Sequence, residues 1–140
     1  MVESVNNKNK GLAFFYFVVV LLLGACGRGE EVVFLETWSP KNDQLLRITI
    51  AEPAALPGCD YCRRPFFVTV YLADNTWPQE KKIISTQLEN DGVPFGPSNI
   101  VARWTGEKIA LICLRASSLP ARGYRILSKD EVSVIETEGC

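Results

Sequence analysis

From residue 31 onward the chain repeats its hydrophobicity every second residue, and that period leaves few folds open. In "LLRITI", Leu46, Ile48 and Ile50 share one face while Arg47 and Thr49 take the other. In "FFVTVYL", Phe66, Val68, Val70 and Leu72 oppose Phe67, Thr69 and Tyr71. Side chains alternate sides along an extended strand, so this is the pattern of a half-buried strand and not of a helix, whose period is about 3.6. "KIISTQL" and "IVARW" continue it less cleanly, and "KIALICL" is apolar on both faces, as a central strand covered on both sides would be. "EVVFLE", "YRIL" and "VSVIET" bring the count to about eight short strands. Turn-forming residues separate them at Ser39–Asp43, Asn90–Gly92, Thr105–Glu107 and Ser128–Asp130. Pro57, Pro65, Pro78, Pro94, Pro97 and Pro120 fall in the intervening loops, where a missing N–H does no harm. No segment carries ten residues of helical periodicity with a cap. The pattern predicts an all-β fold: a small antiparallel meander or sandwich of about seven to eight short strands, one domain over residues 32–140.

The first twenty-six residues have a different character. Lys8 and Lys10 precede an unbroken apolar stretch, Leu12 to Leu23, which ends in Gly24, Ala25 and Cys26. A basic start, an apolar middle and small residues at the exit describe a secretory signal peptide. The stretch is short of the ~20 apolar residues that a membrane-crossing helix needs. It is also apolar on every side, unlike the striped helix that packs on a core. Leu23-Gly24-Ala25-Cys26 resembles the lipobox of bacterial lipoproteins. That resemblance implies a signal peptide over residues 1–25, cut between Ala25 and Cys26. It also implies a diacylglycerol thioether on the Cys26 thiol and acylation of the new amine. Two or more acyl chains hold a protein on a bilayer where one binds reversibly. Residues 26–31 would then be the lipidated cysteine and a short tether. Five extended residues after the anchor span at most roughly 18 Å, which keeps the domain close to its membrane. The resemblance places the protein in the bacterial cell envelope, and Gly27 in place of aspartate leans toward the periplasmic face of the outer membrane if the host is Gram-negative.

"ETWSPKNDQLLRITI" and "ARWTGEKIALICL" echo each other: tryptophan, hydroxyl residue, polar turn, apolar strand. Hairpins of this kind occur in propeller blades and in small, uncharacterised β-rich envelope lipoproteins, which the mature part resembles over about residues 36–115. Two echoes fall short of a propeller. They predict two hairpins with equivalent packing, each tryptophan covering one end of the core.

The chemistry-bearing residues exclude more than they identify. With no histidine, the chain has no Ser-His-Asp or Cys-His nucleophile and no His-ligated metal. No residue set predicts a metal or cofactor. A net charge of −1 offers no general attraction to nucleic acid. Asp43, Asp60, Asp74, Glu80, Asp91, Glu107 and Asp130 mostly sit in turns as solvated acids, with nothing pairing them. Besides Cys26 there are four cysteines: Cys59, Cys62, Cys113 and Cys140. Cys59 and Cys62 form a Cys-x-x-Cys beside Arg63 and Arg64, which would lower a thiol pKa. Pro65 argues against the helix that a thioredoxin-type motif opens, so a local disulfide is favoured. Cys113 and Cys140 are then left to pair, tying the C-terminal segment to a central strand. Trp77, Val93 and Phe95 lie in irregular segments; exposed they would make a partner patch, and folded back they would cap an open end of the core.

These readings lead to a lipid-anchored, non-catalytic envelope β-domain with a binding or structural role. Its expected partners are the membrane, through the N-terminal lipid, and an unidentified envelope protein. The alternatives are a periplasmic thiol-disulfide redox protein using Cys59 and Cys62, and an accessory lipoprotein subunit of an envelope complex.

Overall fold

The computed structural model describes residues 29–53, 58, 64–93, 95–117 and 119–140. Ala25, Cys26, Cys59 and Cys62 lie outside the described residues. Eight strands follow in order: β1 (Val32–Trp38), β2 (Gln44–Ala51), β3 (Phe66–Asp74), β4 (Lys81–Leu88), β5 (Ile100–Gly106), β6 (Ile109–Leu114), β7 (Arg122–Ser128) and β8 (Val132–Glu138). They make two four-stranded antiparallel meanders, β1-β2-β3-β4 and β5-β6-β7-β8, with only sequence neighbours hydrogen-bonded. The all-β fold that the period of two predicts is the fold observed.

The two meanders pack face to face, with β1 against β5 and β4 against β8. Leu46 and Ile48 of β2 and Val68, Val70 and Leu72 of β3 point inward from one sheet, opposed by Ala110, Ile112 and Leu114 of β6 and Tyr124 and Ile126 of β7. All are buried. In β2 and β3 these are the alternate residues that the sequence pattern selects, because the pleat sends every second side chain to the same face; in β6, apolar on both faces, the pattern leaves the inward set open. Each fully buried Val, Leu or Ile contributes on the order of 1.5–3 kcal/mol through removal of apolar surface from water.

β6 departs from expectation. Ala110, Ile112 and Leu114 are buried, but Ile109, Leu111 and Cys113 are only half-buried. The strand is central within its sheet, yet the sandwich has two layers, and among the described residues nothing sufficient covers its second face.

The two tryptophans of the echo are not equivalent. Each hairpin does open its sheet, β1–β2 in one and β5–β6 in the other. Trp104 is registered opposite Ala110 and turns inward against the core, where its Nε1–H donates to the Thr37 carbonyl of β1 at 3.1 Å. Trp38 is registered opposite Leu45 and is 51% exposed. A pairing that differs by one residue exchanges the two faces of a strand. Only Trp104 covers the core.

The C-terminal segment crosses its own sheet. Cys113, Gly123 and Thr137 lie side by side on β6, β7 and β8. Cys140 returns from beyond β8 to form a disulfide with Cys113, with Cα atoms 5.6 Å apart. It therefore passes over β7 at Gly123, where a Cβ would collide with the Gly139 carbonyl oxygen and with Thr137 Oγ1. Gly139 turns the chain at φ 77°, a left-handed conformation that glycine adopts without the Cβ penalty.

Candidate functional site

Three features of the described residues invite a functional reading: the loop aromatics, a polar cluster at one end of the sandwich, and the outer face of the β5–β8 sheet.

The three residues expected as a partner patch are not brought together. Phe95 packs edge-on to Phe34, with ring centroids 4.9 Å apart, and lies 5.1 Å from Phe66 at the start of β3. Trp77 sits in the β3–β4 turn at the other end of β3 and packs on the core, with Lys81 Nζ 4.1 Å above its ring. Val93 alone is well exposed, at 61%. Burying two large rings over the ends of a two-layer core removes more apolar surface from water than an open patch would, so both fold back as caps.

The polar cluster joins the two sheets beneath the β1–β2, β3–β4 and β5–β6 turns. Lys108 Nζ donates to Asp43 Oδ2 at 2.8 Å and lies 3.6 Å from Asp74 Oδ2. Gln44 Nε2 donates to the same Asp74 oxygen at 2.8 Å, and its Oε1 accepts from Ser128 Oγ at 2.6 Å. Ser39 Oγ donates to Asp43 Oδ1 at 2.6 Å and accepts from the Gln44 N–H at 3.1 Å. Ser39, Gln44 and Ser128 are buried. Among the described residues, no buried side-chain polar atom lacks a partner. The sequence reading took Asp43 and Asp74 as separate turn acids; the fold brings both onto Lys108. Local spacing carried no signal of this, because the three residues come from three different turns.

The electrostatics of this cluster run against acid–base work. Asp74 is held down to about 2, chiefly by the Thr76 hydroxyl and the Thr76 backbone N–H, with Gln44 adding to them. The hydrogen bond from Lys108, and then that from Ser39, lowers Asp43. Lys108 is raised by its bond to Asp43. A general acid or base works best with a pKa near the operating pH, and every charge here is driven away from neutrality. The cluster is a clasp.

The remaining feature is the outer face of the β5–β8 sheet. Register places Val101 and Arg103 of β5, Ile109, Leu111 and Cys113 of β6, Gly123, Arg125 and Leu127 of β7, and Ser133, Ile135 and Thr137 of β8 on it. Arg115 continues the parity of β6, with its backbone N–H donating to the Asn99 carbonyl at 2.8 Å. Glu136 and Glu138 of β8 are registered opposite Tyr124 and Arg122 and so take the other side. No acid stands on the outward positions of these four strands. The tail that crosses Gly123 lines a cavity of about 350 Å³ together with Val101, Leu111, Cys113, Arg103 and Arg115. The chain matches no protein-family model, no curated protein and no solved structure.

Sequence reasoning missed this face. The signal was present: "KIALICL" is apolar on both sides, and Arg103, Arg115 and Arg125 each fall on the outward parity of a strand or its continuation. Recognising it required knowing that only two layers form.

Proposed function

We propose that this protein is a lipid-anchored module of the bacterial envelope that works by binding and not by catalysis. One observation carries the binding reading. The best-connected charged cluster is consumed in holding two sheets together, with its acids lowered and its lysine raised. By contrast, the open face of the β5–β8 sheet presents exposed apolar side chains and three arginines whose guanidiniums make no hydrogen bond or ion pair among the described residues. The anchor rests on Leu23-Gly24-Ala25-Cys26 after the apolar run Leu12 to Leu23. Gly29 supports a close attachment: its N–H donates to the Glu52 carbonyl at 2.9 Å. Only residues 27 and 28 then separate Cys26 from chain that is held on the domain.

Intact-mass measurement on detergent-extracted protein tests the anchor. The expected result is a chain beginning at Cys26 and carrying a lipid increment, with Cys26→Ser leaving the precursor uncut or unlipidated. An unlipidated chain beginning elsewhere overturns it.

A further inference from the structure

The described arginines divide cleanly. Arg47 is paired with Glu36 at 2.7 Å and with Glu80 at 2.9 Å. Arg122 donates to Thr86 Oγ1 and to the Gln87 carbonyl, bridging the two sheets. Arg64 also has a partner. The other three, Arg103, Arg115 and Arg125, are exposed and make no side-chain hydrogen bond or ion pair among the described residues. All three stand on the outward parity of the β5–β8 sheet. In a chain whose net charge is −1, random placement would put acids among them.

The same face is apolar between its charges. Val101 is 43% and Ile135 47% exposed, with Leu111 half-buried between them. Arg103, Leu111, Arg125 and Ile135 form one cross-strand row. Neighbouring strands lie ≈ 4.7–4.9 Å apart, so Arg103 and Arg125, two strands apart, have backbones about 10 Å apart. That is close to the length of one disaccharide.

We infer that the outer face of the β5–β8 sheet binds an acidic polysaccharide, laid across the strands along the row Arg103–Leu111–Arg125–Ile135. Alternate sugars would set a carboxylate against each guanidinium, whose planar fork matches that group. The C–H faces of the sugars would rest on Val101, Leu111 and Ile135. Arg115, which lines the cavity together with Val101, extends the cationic track along the strands.

The anchoring bilayer is a poorer occupant, a point that rests on the proposed Cys26 anchor. Glu31 accepts hydrogen bonds from Thr49 and Tyr71, both at 3.0 Å. Those side chains sit on the outer face of the other sheet, opposite the inward Ile48, Ile50, Val70 and Leu72. Glu31, five residues after the proposed anchor, is thus held on the side away from the arginines, so an anchoring bilayer is nearer the other layer.

The test uses the full chain in mild detergent, with polygalacturonate as probe and dextran as its uncharged control, read by affinity electrophoresis. Polygalacturonate should retard the protein, more weakly as salt is raised, and dextran should not. Arg103→Gln with Arg125→Gln removes both guanidinium forks from the row and should weaken binding by about tenfold. The pair Lys82→Gln and Lys129→Gln removes equal charge elsewhere and should leave binding unchanged. Equal retardation by dextran, indifference to salt, or an equal loss in the lysine pair overturns the inference. So does arginine-dependent binding to phosphatidylglycerol vesicles or duplex DNA in place of the polysaccharide. Lipid on Cys26 is read separately by mass, so the anchor and this face stand or fall apart.

Discussion

Gly123 and Cys140 should be energetically coupled through the tail that crosses β7. The Cys113–Cys140 bridge spans a sequence separation of 27. In the loop-entropy model a closed loop of that size is worth about 3.5 kcal/mol. Cys140→Ala should therefore lower the melting temperature by on the order of 15 °C, at roughly 4–8 °C per kcal/mol for a domain near this size. Gly123→Ala acts by another route. The added Cβ meets the Gly139 carbonyl oxygen, which is backbone, and Thr137 Oγ1, which can rotate away. With the bridge intact the tail cannot lift, and overpacking of this kind costs about 1–3 kcal/mol. With Cys140 replaced, the tail is free to leave the sheet, and most of that cost should vanish. The double variant should then be less destabilised than the sum of the two singles, with a coupling of about 1–3 kcal/mol. Urea unfolding of all four proteins, followed by tryptophan fluorescence, measures the cycle. Strict additivity, or a Gly123→Ala variant as stable as the parent, would refute the crossing as the reason for glycine at this position.

The clasp gives stability a definite acid limit. Asp74 is lowered to about 2 from its ordinary 3.8, so its contribution is present above the unfolded value and is lost as pH falls through the folded one. Asp43 acts in the same direction. Unfolding free energy should accordingly fall between about pH 4 and pH 2, and Asp74→Asn should flatten that fall in an acid titration followed by circular dichroism. The two tryptophans should behave unequally: Trp104→Ala should cost about 3–5 kcal/mol, and Trp38→Ala less than about 1 kcal/mol. Equal losses in thermal melts would restore the equivalence that the sequence echo suggests.

β2 and β3 were legible because each writes its own burial as a period of two. Leu46, Ile48, Val68 and Val70 lie on the face that the pattern picks out, and that face is the buried one; the turns at Ser39–Asp43 and Ser128–Asp130 fall where predicted. What stayed hidden was whatever depends on bringing distant turns together. Asp43, Asp74 and Lys108 converge only after two sheets stack, and no short window contains that fact. The number of layers was hidden for the same reason. A strand apolar on both sides reads as covered on both sides, and β6 shows that it can equally be a strand with one face only half-buried. The tryptophan echo located the two opening hairpins correctly and misjudged one face, because pairing register is settled across a turn and not along a strand.

Among the eight described strands, every hydrogen-bonded pair joins consecutive strands. No ladder has to wait for a distant part of the chain. Each meander closes through a series of hairpins, whose loop-closure cost grows only slowly with length, and hairpins form within microseconds. Only the docking of one finished sheet on the other, with Arg122, Trp104, Lys108 and Ser128 reaching across, requires residues from both halves. A chain threaded through a narrow channel, emerging one end first, could complete the β1–β4 sheet before β5 had appeared.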